Sequence, residues 1–171
     1  MDVFDAMRKR RMYRQFAQEP VEEELLERLV YAAGRAPVAR EGLRHLVVVT
    51  DPAVMAAVRL VAPGFYNDAS ALIAVCADLD LATDVIGAGT ADEVCALDAG
   101  AAGAYLSLAA PALGLGICWT TSWTPPPVQA VLELPERIKP YLLVAVGRPA
   151  RDAPKAPRRF GPAVHRDRWA E

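Results

Sequence analysis

Cysteine is scarce in this chain: Cys76, Cys95 and Cys118 are odd in number, widely spaced, and form no CxxC pair. That argues against a disulfide framework and a structural zinc, and fits a reducing cytoplasm. Only two histidines occur, His45 and His165, far apart in the chain, and an isolated histidine is more often structural than catalytic. No GxSxG, HExxH or phosphate-binding P-loop motif is present, and no glycine-rich turn follows the first apolar run. Asp78 and Asp80 in "CADLD" follow a strand-like run and read as a solvated turn more readily than as a metal site. Without a nucleophile or an acid–base pair, catalytic side chains are expected to be absent. Chemistry would come from a cofactor, with the protein supplying binding and electrostatics. The start, "MDVFDAMRKRR", puts acids first and has no apolar core before a cleavage site, so it does not read as a secretory signal.

The 171 residues are 53% apolar and 23% charged, which predicts one folded domain over 1–171 with a substantial core. The longest uncharged run, 99–132, is broken by Pro111, Gly114, Gly116 and the prolines at 125–127, so a membrane span is not expected. Charge is uneven. Residues 8–14 and 148–171 hold 12 of the 19 cations, while 15–147 carries a net charge of −9. Cations at both ends of an otherwise acidic chain suggest a small anionic ligand, although solvated termini would look the same. Nucleic acid would require a broader basic face with interleaved aromatics, which is missing.

Periodicity predicts a helix over Val3–Lys9 and an amphipathic helix in "PVEEELLERLVYAAGRAP", with Leu25, Leu26, Leu29, Val30 and Ala33 on one face. "LRHLVVVT" reads as a buried strand, followed by a helix capped by Asp51 with Pro52 at its first position. "ALIAVCA" is a second buried strand, and Asp92–Leu113 the longest helix. The small residues of its "AGAAGA" centre would let another backbone, most simply a second helix, approach closely. "GICWTT" is a short strand or turn, Thr124 can cap a helix over Pro125–Leu132, and "YLLVAVG" is a last strand. Irregular mixing of helices and strands predicts an α+β layered domain and not a Rossmann fold.

The segments "RRMYRQF…PVEEELLERLVYAAGRAP", "LVVVTDP", "ALIAVCAD", "DAGAAGAYLSLAAPALGLGICW" and "YLLVAVGRPARDAPKAPRRFGPAVHRDRW" stand in the order of the FMN-dependent nitroreductase family, which the chain resembles from about residue 2 to Trp169. The resemblance implies a central, mostly antiparallel sheet flanked by helices, with an extended C-terminal tail. It also implies a cytoplasmic homodimer that holds FMN between its subunits and uses NAD(P)H as co-substrate. Hydride would pass in ping-pong fashion to a nitroaromatic or quinone-type acceptor. Arg10, Arg11 and Arg14 match the positions that face the FMN phosphate, with Lys155 and Arg158 or Arg159 approaching from the tail. Planar guanidinium donors suit such a dianion. Thr120, Thr121 and Ser122 would face the isoalloxazine, and Trp119 and Trp123 would either flank that pocket or pack in the core.

The chain departs from the family at two places. Met12 stands where the family usually has a serine, removing a hydroxyl donor. In "APVAREGLRHL", Val38, Glu41 and Leu43 stand where serine, asparagine and glutamine are usual. A carboxylate at Glu41 accepts hydrogen bonds but cannot donate them to ring carbonyls. A flavin-binding, non-catalytic member of the family is the alternative to a working oxidoreductase.

Overall fold

A computed structural model describes residues 1–151, 161 and 163–169. Helix α1 spans Val3–Lys9, and the Asp2 carboxylate caps it by accepting the Asp5 N–H at 2.8 Å. Helix α2 spans Glu23–Gly34 and buries Leu26, Leu29 and Ala33, the apolar face expected from its spacing. In α3 (Pro52–Val61), Asp51 accepts from the Ala53 and Val54 N–H groups while Pro52 fills a first-turn position that needs no donor.

Strands β1 (Arg44–Val49), β2 (Ala71–Asp78), β3 (Gly116–Thr120) and β4 (Ile138–Gly147) form one sheet of order β1-β2-β4-β3, antiparallel throughout. Its two central strands are covered on both faces, so they read as continuous apolar runs without alternation. Alternation nonetheless sorts their side chains. Ile73, Val75, Val144 and Val146 face α2 and α5 (Ala91–Ala109), whereas Leu72, Ala74, Leu143 and Ala145 face α3, α6 (Pro125–Val131) and the buried Phe65. Between Val75 and Cys76 the register slips by one residue, leaving Tyr141 extra beside Pro140, which has no N–H to pair. Tyr141 there donates its hydroxyl to Asp92 at 2.6 Å, and Lys139 pairs with the same carboxylate.

Four sequence expectations need correction. The "LRHLVVVT" strand is not buried but lies at the sheet edge, with His45 and Val48 exposed. Asp78 does not sit in a solvated turn. It caps a further helix, α4 (Leu79–Ile86), by accepting the Leu81 N–H. The longest helix, α5, spans Ala91–Ala109 and then tightens into a 3-10 turn over Ala110–Leu113, where Pro111 stands in the first turn and Gly114 closes it at φ 68°. Helix α6 covers Pro125–Val131, and Thr124 precedes it without a side-chain capping bond.

The 23 residues of Ala91–Leu113 are long and apolar enough to cross a membrane, yet Ala99, Ala102, Gly103 and Leu106 are buried within the domain, as in a core helix. The small residues also serve the domain itself. A Cβ on Gly103 would lie 2.5 Å from Leu142 Cδ2 and 2.7 Å from Trp119 Cζ2, so this glycine seats β3 and β4 against the helix. Gly100, one turn earlier, has nothing within 4 Å.

Candidate functional site

The cationic segment leaves α1 at Arg10 and runs extended along the free edge of β3. Met12 bridges Ile117 in parallel, and the Tyr13 N–H donates to Ile117 O at 2.9 Å. Glycine makes this docking possible. Gly116 and Gly147 are register partners on β3 and β4, and added Cβ atoms there would lie 2.7 Å from the Tyr13 ring and 2.8 Å from the Phe16 ring. The two rings therefore lie directly on sheet backbone, which fixes where the arginines between and before them fall. Phe16 also bridges Pro149 in antiparallel sense, with Ala17 N–H donating to Arg148 O at 2.8 Å. The start of the tail thus leaves this pairing heading back towards Arg14.

The arginines differ in what they already hold. Arg11 turns its guanidinium back onto main-chain carbonyls, donating to Arg8 O at 2.6 Å and Arg10 O at 2.8 Å. Arg8 pairs with Asp5, and Arg148 Nη2 donates to both carboxylate oxygens of Glu22, at 2.6 and 2.8 Å. That tail cation is therefore spent on an acid. Arg10 and Arg14 form no salt bridge among the described residues. Arg14 lies close enough to Cys118 on β3 for its charge to oppose the burial that pushes the thiol's pKa up. Lys155, Arg158 and Arg159 lie outside the described residues.

The second group stands where β3 ends. Thr120 is buried, donates its hydroxyl to Gly64 O at 3.4 Å, and offers its own carbonyl to the Trp123 indole N–H at 2.8 Å. Ser122 O accepts from Gly64 N–H at 3.0 Å. Thr121 and Ser122 are exposed, and their N–H groups have no backbone acceptor among the described residues. Trp119 and Trp123 are both engaged in packing. Trp119 donates to Ser107 Oγ at 3.2 Å across α5, and Trp123 packs beside Val128 and Leu143 under the sheet.

Glu41 does not join these groups within one chain. It is exposed on the turn that Leu43 N–H closes onto Arg40 O, beside β1. This is the opposite sheet edge, three strand spacings or about 14 Å from β3. Val38 is half-buried and Leu43 fully buried, so among the three departing positions only Glu41 presents a polar group to solvent. Two adjoining concavities of about 710 Å³ each, sharing Pro20, Val21 and Thr50, hold none of the candidate residues. Gly64 escaped the sequence reading because "PG" in "VAPGFYND" signals only a turn, not the strand end that the turn meets.

An antiparallel sheet in the order β1-β2-β4-β3, wrapped by helices and edged by an extended cationic segment, is shared by solved oxidoreductase structures. Structures of this class superpose well. A provisionally named NADH dehydrogenase/NAD(P)H nitroreductase from Parabacteroides distasonis covers 98% of both chains at a TM-score of 0.81 and 26% identity. The fold is shared too with an FMN-dependent nitroreductase from Clostridium difficile, at a TM-score of 0.77 and 22% identity over 91% of this chain and 92% of that one. In sequence, an NADH dehydrogenase of Thermus thermophilus is 32% identical over 89% of each chain. A Methanothermobacter thermautotrophicus protein provisionally named NADH dehydrogenase/NAD(P)H nitroreductase is 29% identical, with 99% of this chain and 88% of that one aligned. Residues 43–148 match the nitroreductase family. The chain belongs to that family and is an oxidoreductase.

Proposed function

We propose that this protein is a cytoplasmic, homodimeric FMN oxidoreductase that takes hydride from NAD(P)H and reduces nitroaromatic or quinone-type acceptors. The observation that carries the reading is the pair Arg10 and Arg14. Both stand on the extended segment that Met12 bridges to β3 and lack a carboxylate partner among the described residues, while Arg8, Arg137, Lys139 and Arg148 are ion-paired. Unpaired guanidinium groups fit a phosphate dianion, which they can meet with charge-assisted bonds.

The fit extends to the end of β3, where Thr121 and Ser122 are exposed and their N–H groups have no backbone acceptor among the described residues, on a turn held by Gly64 and Trp123. Fixed amide donors favour charge that develops nearby on reduction. When bound, the flavin supplies the hydride chemistry; Arg10 and Arg14 hold the phosphate, and Thr121 and Ser122 orient the ring edge. The relatives' names point to NADH or NAD(P)H as the reductant. The homodimer is supported by Val3, Phe4 and Met7 on α1 and by Leu97 on α5, all at least half exposed in the single chain. A second copy would cover them and could bring its own Glu41 turn across to the cationic edge.

The test compares FMN with riboflavin, which lacks the phosphate. Arg10→Ala and Arg14→Ala should each weaken FMN by about 1.5–3 kcal/mol, the usual worth of a charge-assisted hydrogen bond, and leave riboflavin nearly unchanged. Equal losses for both flavins would mean that the arginines act through folding. Purified protein that neither carries nor takes up FMN would overturn the assignment.

A further inference from the structure

Resting on the reading above, we infer that Gly64 is a positioning residue for the reaction. Its backbone holds the Thr120–Ser122 turn in place, and any side chain there would have to push that turn aside. The turn that carries it is anchored from beneath. Phe65 N–H closes it onto Ala62 O at 2.7 Å, and the Phe65 ring is fully buried under the sheet. The Arg59 guanidinium lies over that ring at 5.2 Å and donates to Asn67 O at 3.0 Å and Ala69 O at 2.8 Å. Three backbone segments are thus tied together before the chain reaches β2.

Gly64 is the edge this anchored turn presents to the end of β3. It donates its N–H to Ser122 O at 3.0 Å and accepts the Thr120 hydroxyl at 3.4 Å. A Cβ on residue 64 would lie 3.0 Å from Ser122 Cβ, 3.1 Å from Thr120 Cγ2 and 3.2 Å from the Ser122 backbone nitrogen. Ser122 Cβ and the Ser122 nitrogen are fixed by the backbone of the turn, so a methyl there must displace the turn itself by a few tenths of an ångström. With Phe65 fixed below, the segment that yields is 120–122, and its donors move. No hydrogen bond or ion pair among the described residues joins α3 or the loop after it to Arg10 or Arg14, so the phosphate contacts are expected to hold. The expected signature is a loss confined to the reduced state of the bound ring.

The experiment uses the full chain with and without FMN, in wild type, Gly64→Ala, Thr120→Val and Gly34→Ala. Gly34 has nothing within 4 Å and serves as the control for adding the same methyl group. Without flavin, the Trp123 indole N–H, which rests on Thr120 O, reports the turn by NMR. Its exchange should quicken at least about threefold in Gly64→Ala and stay at the wild-type rate in Gly34→Ala. With FMN, Gly64→Ala should bind the oxidised flavin nearly as well as wild type but lose about tenfold in relative affinity for the reduced form, one charge-assisted donor's worth. For a two-electron couple that ratio lowers the midpoint potential by about 30 mV. Thr120→Val, which keeps the shape and removes the hydroxyl bond, should shift both readouts the same way by less, and stands in if Gly64→Ala does not fold. Unchanged indole exchange overturns the inference. So does faster exchange with an unchanged potential in protein that binds FMN, because the turn would then not face the ring. Faster exchange in Gly64→Ala, in a protein whose wild type binds no FMN, would instead support the strut and sink the flavin assignment.

Discussion

Gly103→Ala in the middle of α5 is expected to destabilise the protein, although helix propensity alone predicts the reverse. Replacing an interior glycine by alanine normally gains about 1 kcal/mol. Here the new methyl would sit 2.5 Å from Leu142 Cδ2 and 2.7 Å from Trp119 Cζ2. Leucine can turn a methyl aside, but Trp119 is pinned. Its indole donates to Ser107 Oγ at 3.2 Å, and that hydroxyl donates in turn to Gly103 O at 2.8 Å. Overpacking of this kind costs about 1–3 kcal/mol, and loss of the indole bond adds about 0.5–1.5 kcal/mol. Set against the propensity gain, the net loss should centre near 2 kcal/mol, lowering Tm by about 4–8 °C for a chain of this size. Gly100→Ala, one turn earlier with nothing within 4 Å, should instead gain about 0.5–1 kcal/mol if that face meets water. If a second copy packs there, the same methyl will cost stability, so the sign of the Gly100 result reports the partner. Calorimetry at one fixed protein concentration measures both variants. A Gly103→Ala protein as stable as wild type would refute the account of the helix as a seat for Trp119.

Asp78→Ala should cost about 1 kcal/mol by removing the cap of α4. The Asp78 carboxyl is held below the ordinary carboxylate range mainly by the Leu81 N–H, with Arg137 and His45 adding to this against the opposing effect of burial. Since its folded pKa is depressed, the stability it adds is full above pH about 4 and fades as pH falls through that lower value. The Tm gap between wild type and Asp78→Ala should therefore narrow below pH 4 in melts run from pH 7 to 2.5, and a constant gap would count against the cap. Glu41→Asn exchanges a group that only accepts for one that also donates. It should tighten FMN and raise its midpoint potential if a second copy brings this turn to the cationic edge. Identical affinities and potentials would leave Glu41 facing water.

What could be read from the amino acids was whatever neighbours in the chain settle between themselves. The Val3–Lys9 helix, the Asp51–Pro52 start of α3 and the apolar face of α2 follow from caps and spacing within a few residues. The ordered segments of the nitroreductase pattern, and with them the α+β class, are legible for the same reason. Arg10 and Arg14 were legible as a charge cluster, but which cations the acids take was not, since Glu22 takes Arg148 from 126 residues away. Helix α4 was hidden because an Asp cap and a solvated Asp turn look alike until the following residues find something to pack on. β1 read as buried because Val47, Val48 and Val49 are apolar, whereas edge or centre depends on which strand lies on each side. Composition showed a glycine at 64, 103, 116 and 147. Only the tertiary structure shows that each one leaves room for a side chain or backbone distant in sequence, because a close approach belongs to two segments and is written in neither alone.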